Sequence, residues 1–92
     1  MTFSIECDEA KTKFGRDQHA GTIRAGSGVT MYYWHMAIEE PASEKSLNGG
    51  TVRELFVSDE SGHVIDYNEG WLIKPSSELH KEVLAKLLDW AA

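Results

Sequence analysis

Thr30-Met31-Tyr32-Tyr33-Trp34-His35-Met36-Ala37-Ile38 reads as a β-strand with two apolar faces. Successive side chains of a strand alternate between faces. Tyr32, Trp34, Met36 and Ile38 therefore share one side, while Val29, Met31, Tyr33 and Ala37 share the other with His35 among them. A strand buried on one face alternates apolar with polar residues, and one covered on both faces need not. A chain of 92 residues has little material with which to cover both faces of its own sheet. The second face is therefore expected to meet something else: another copy, another protein or a ligand.

Working outward, Gly26-Ser27-Gly28 stands immediately before this strand, after a short strand over Thr22 to Ala25. Two glycines so close permit the positive φ of a tight hairpin. A phosphate-binding loop would instead open a helix whose N-terminus faces the phosphate, and this one opens a strand. Thr2 to Asp8 alternates loosely, with Phe3, Ile5 and Cys7 on one side, and predicts a further strand. Glu9 to Gln18 is polar and contains Gly15, which predicts a loop. Downstream, Glu39-Glu40-Pro41 ends the aromatic strand because proline cannot donate to a ladder. A connection over Ala42 to Gly50 leads to a strand at Thr51 to Ser58, whose broken alternation predicts a bulge near Arg53-Glu54. Asp59-Glu60-Ser61-Gly62 forms a turn, and His63 to Glu69 returns as a strand. Gly70-Trp71 breaks that pattern, and Leu72-Ile73-Lys74-Pro75 leads into a helix over residues 76–91.

That helix places Leu79, Val83, Leu84, Leu87, Leu88, Trp90 and Ala91 in one half of its wheel, with Ser76 or Ser77 as the N-cap. The predicted fold is one α+β domain over residues 1–92: a four- to five-stranded antiparallel sheet with one C-terminal amphipathic helix packed on one face. The helix claims the Tyr32, Trp34, Met36 and Ile38 side, which leaves Met31, Tyr33 and His35 as the patch to be explained.

The net charge of −6 arises wholly from residues 25–92, because residues 1–24 hold four charges of each sign. Nucleic-acid binders present a basic patch, and here the basic cluster is limited to Lys11, Lys13 and Arg16. Direct nucleic-acid binding is therefore not expected. The lone Cys7 excludes an internal disulfide and fits a reducing compartment. No signal-peptide pattern or apolar run of membrane-spanning length is present, so the expected location is the cytoplasm, with no membrane contact.

Catalytic signals are weak. His19, His35, His63 and His80 lack metal-ligand spacing, so no metal or cofactor is expected. Cys7 alternates with Phe3 and Ile5 as a small core residue does, and no nucleophile elbow or paired-carboxylate motif appears. The chain therefore reads as a binder and not an enzyme. Its candidate interface residues are Met31, Tyr33, His35, Arg53, Glu69 and Trp71. Arg24, Arg53 and Lys74 stand near strand ends and are candidates to neutralise an anionic ligand.

The run Glu40-Pro41-Ala42-Ser43, Asn48-Gly49-Gly50-Thr51-Val52, Leu55 and Asp66-Tyr67-Asn68-Glu69-Gly70-Trp71 resembles a family of small uncharacterised proteins of phages, prophages and their bacterial hosts. That family pairs a Pro-Ser segment and a Gly-Gly-x-Ile/Val-x-x-Leu strand with a later Tyr-Asp-Arg-Gly-Trp turn. This chain departs from it at Asn68-Glu69, which reverses the local charge. The resemblance implies a mobile-element protein directed at a host system, acting in the host cytosol. The leading expectation is a non-catalytic interaction protein, for example an inhibitor of a bacterial defence complex such as an anti-CRISPR. It would form a homodimer through the uncovered face of the aromatic strand and bind a host protein or complex. The alternatives are an oligomer that binds a small molecule or nucleotide as a signal sponge, and a small enzyme using Cys7 or a histidine.

Overall fold

The computed structural model describes residues 2–13 and 15–92. Consecutive strands usually pair with their chain neighbours, and here the result is an antiparallel meander. Its strands are β1 (Phe3–Lys13), β2 (Arg16–Ala25), β3 (Thr30–Ile38), β4 (Val52–Asp59), β5 (Gly62–Asn68) and β6 (Trp71–Ile73). They lie side by side in chain order, each antiparallel to the next. A 3-10 turn at Leu47–Gly49 interrupts the β3–β4 connection, and α1 (Glu78–Ala91) closes the described chain.

Among the described residues the sheet has six strands, not the four or five expected. One addition is β6, a three-residue strand between Gly70 and Pro75 that is too short for periodicity to register. The expected polar loop over residues 9–18 is corrected as well. Those residues continue β1 and β2, with Glu9 opposite Ala20, Ala10 opposite His19, Lys11 opposite Gln18 and Thr12 opposite Asp17. The Thr12 hydroxyl donates to the Asp17 carboxylate at 2.9 Å. On the β1 side this distal arm of the hairpin is exposed, and on the β2 side polar residues pair with β3, so its hydropathy carries no strand signal. Phe14, which also fell within the expected loop, lies outside the described residues.

Extra residues at Asp8, Met31, Arg53, Val64 and Leu72 shift the register of successive strand pairs. Such bulges increase local twist and re-aim side chains. The bulge at Asp8 lies beside Gly21, where a Cβ would stand only 1.8 Å from the Glu6 carbonyl oxygen. Glycine is required there because two backbones approach without room for a side chain.

Tyr32, Trp34 and Met36 of β3 face the helix and are buried with Ile23, Leu55, Val57, Ile65 and Tyr67. From α1, Val83 and Leu87 are almost fully enclosed, at 1% and 0% exposure. Each contributes roughly 1.5–3 kcal/mol relative to remaining in water. The Trp34 indole N–H donates to the Thr22 carbonyl at 3.3 Å, and its ring meets Trp90 edge-on at 5.0 Å. The Tyr67 hydroxyl donates to the Lys45 carbonyl at 2.7 Å and ties the β3–β4 connection to the core. The helix begins at Glu78 and not at residue 76, because the Ser77 hydroxyl accepts the His80 backbone N–H at 3.1 Å and caps the first turn. Among the described residues no helix is long and apolar enough to cross a membrane.

Candidate functional site

The helix covers one face of the sheet, and the register shows what the opposite face carries. Ala20, His35, Phe56 and Asp66 form one row across β2, β3, β4 and β5. Thr22, Tyr33, Ser58 and His63 form the next row toward the β4–β5 turn. Directly opposed residues share a face, so these side chains emerge together.

Three rings from three adjacent strands stack into a ladder on this face. His35 lies on Phe56 with centroids 5.0 Å apart and planes 15° from parallel. Phe56 in turn lies on His63 at 5.1 Å and 9°. His63 Nδ1 is 3.3 Å from an Asp66 carboxylate oxygen, which orients the outer ring. Tyr33 stands beside the ladder and is 61% exposed. Together with Ser58 these residues border a depression of about 250 Å³. His35 Nδ1 is shielded from solvent and has no hydrogen-bond partner among the described residues. Burial lowers the pKa of this ring, and Glu54 pulls in the opposite direction.

One end of the same face is closed by ion pairs. Arg16 Nε donates to Glu39 at 2.9 Å, while its two terminal nitrogens donate to Glu54 at 3.0 Å and Glu69 at 2.8 Å. Arg53, whose side chain is 13% exposed, lies 3.5 Å from Glu39 and 3.7 Å from Glu69. Burial opposes the charge on Arg16, but hydrogen bonds to Glu39, Glu69 and Glu54 outweigh it and raise the guanidinium pKa. Two cations facing three carboxylates leave one negative charge uncompensated. Ala37, which pairs with Gln18 and Glu54, is fully buried on this face beneath the longer side chains around it.

The six residues nominated from sequence therefore divide into three pairs. Tyr33 and His35 emerge on the open face at the ring ladder. Arg53 and Glu69 meet in the ion cluster at its end. Met31 and Trp71 are drawn to the helix side instead. Met31 is the extra residue of the β2–β3 bulge, so alternation does not assign its side, and it packs against the core. Trp71 opposes Tyr67, meets its ring edge-on at 5.2 Å and joins the same core.

The cations expected near an anionic ligand are dispersed. Arg24 pairs with Glu6 at 3.0 Å, Arg53 belongs to the cluster, and Lys74 is exposed beyond β6. Cys7, expected in the core, is exposed because β1 leaves the core beyond Ile5. Its Sγ lies 4.0 Å from His19 Nδ1. Among the described residues no three His, Cys, Asp or Glu side chains are grouped to hold a metal ion.

Sequence reasoning missed Phe56, His63, Arg16, Glu39 and Glu54. Phe56 carried a usable signal. Leu55-Phe56-Val57 is apolar on both faces, just as the aromatic strand is, and it belongs to the neighbouring strand. Arg16, Glu39 and Glu54 had none, because the two carboxylates lie 23 and 38 residues from Arg16 along the chain.

Residues 17–91 match a family described as a domain of unknown function, DUF7678, and this span contains the Glu40–Trp71 run that carried the resemblance. No curated protein and no solved structure matches the chain.

Proposed function

We propose that this chain, which belongs to the DUF7678 family, is a non-catalytic interaction protein that binds a host protein through the open face of its sheet. The observation that carries this is the stacked ladder of His35, Phe56 and His63 beside the exposed Tyr33. Aromatic rings at the centre of a patch, with charged groups around them, match the anatomy of an interface in which a few aromatic anchors supply most of the affinity. The Arg16–Glu39–Glu54–Glu69 cluster and the Glu9–Lys11 pair supply that charged surround. The acidic net charge of −6 favours a basic partner surface through faster encounter. The small acidic chain and the resemblance to phage and prophage proteins support a mobile-element origin and a host target. Inhibition of a defence complex, as by an anti-CRISPR, is the form this takes.

The test is affinity capture from a bacterial host extract with three proteins: the wild type, Tyr33→Glu and Phe56→Lys, each checked for its fold by circular dichroism. The expected result is a host protein retained by the wild type and lost from both variants. Equal capture by all three would overturn the assignment to this face. A rise in melting temperature with a free nucleotide, absent from the Phe56→Lys protein, would replace the protein partner with a small-molecule ligand.

A further inference from the structure

Strands at the edges of a sheet leave backbone donors and acceptors free to pair with another chain. β6 offers little at one edge, because it spans only Trp71–Ile73 and runs into Pro75. The other edge is β1, which runs for 11 residues and has no second strand neighbour among the described residues. Every residue from Glu6 to Thr12 is exposed. The charges along this strand are sorted, since Glu6, Asp8 and Glu9 all precede Lys11.

We propose that the β1 edge docks a second copy of the chain, with the two β1 strands antiparallel about Ala10 and the two sheets joined into one. A two-fold axis normal to the sheet makes the edge strands antiparallel and the contact self-complementary. Directly opposed residues share a face, so the axis must fall at a residue and not between two. Beyond the Asp8 bulge, β1 pairs regularly with β2 from Glu9 to Lys13, and centring on Thr12 or Lys13 sets lysine against lysine, which leaves Glu9, Ala10 and Lys11 as the centres to compare. Centring on Glu9 sets that carboxylate against its own copy, and centring on Lys11 does the same to the ammonium. Centring on Ala10 places Glu9 opposite the partner's Lys11 and Lys11 opposite the partner's Glu9. These two residues already pair at 2.9 Å along one strand, so the dimer completes a square of alternating charge. The ring ladder of each copy stays uncovered, and the joined sheet presents two of them on one surface.

The experiment is native mass spectrometry and sedimentation velocity on the full chain, with thermal melts to show that each variant folds. A dimer is expected for the wild type. Lys11→Glu and Glu9→Lys should each weaken it by at least about 10-fold, since each turns opposite charges into like ones. The combined Glu9→Lys/Lys11→Glu protein should recover the dimer, because the exchange restores every pair. Tyr33→Glu should leave dimerisation unchanged while abolishing capture of the host protein, which separates this interface from the open face. A chain that is monomeric at all accessible concentrations overturns the inference. So does a dimer that survives both single charge reversals, or one that is lost with Tyr33→Glu.

Discussion

His35 shows how much one side chain depends on what the fold puts around it. Its ring is stacked on Phe56, its Nδ1 is shielded, and Glu54, Lys11 and Glu9 all act on its charge. Burial is the largest influence and lowers its pKa below the ordinary 6.5. Below that pH the unfolded chain takes up a proton that the folded ring resists. The contribution of neutral His35 to stability is therefore complete above pH 6.5 and declines as the pH falls toward the lowered value. Denaturant titrations at pH 7.5 and at about pH 5.5 should show the wild type losing more stability than His35→Phe, which keeps the stack but cannot titrate. Equal losses would remove His35 from the account. At this scale alternation correctly put Tyr33 and His35 on the uncovered side. It failed at Met31, because a single bulge residue breaks the period-two rule on which the assignment depended.

Among the elements, the β1–β2 hairpin departs most from what hydropathy suggests. Its inner half joins the core through Phe3 and Ile23; farther out β1 is exposed, while β2 stays paired with β3 and its His19 meets Trp90 edge-on at 5.2 Å. Gly21 sits near the join, with the Glu6 backbone in the space a side chain would need. Gly21→Ala should force these strands apart and lower the melting temperature by roughly 10 °C or more, a cost of about 2 kcal/mol. Calorimetric melts would check this, and an unchanged transition would show that the strands can shift without cost. The helix is the opposite case. Its cap, its buried stripe at Val83 and Leu87 and its flanking Leu79, Leu84 and Leu88 were all legible, because a 3.6-residue period over four turns leaves little ambiguity.

For the whole molecule, Arg16 joins parts of the chain that no local rule relates. From β2 it reaches Glu39 just after β3, Glu54 on β4 and Glu69 in the β5–β6 turn. Arg16→Ala would leave three carboxylates facing Arg53 alone, and should destabilise the fold by about 1–3 kcal/mol. Adding Glu69→Ala should recover part of that loss, since it removes one of the stranded charges. Urea titration of the two single variants and the double variant gives the coupling. Strict additivity would mean that the cluster does not act as a unit.

The sequence alone determined the architecture in outline: an antiparallel sheet, a C-terminal helix, and an aromatic strand with one face given to the core, while the order of the strands came only from the structure. Those features arise from periodicity and turn chemistry, which act between near neighbours. Only the tertiary structure decided how many strands pair and that Phe56 and His63 complete a ladder with His35. The same is true of the ion cluster that closes one end of the open face. Each of these depends on register, and register is a relation between strands that a single bulged residue can shift.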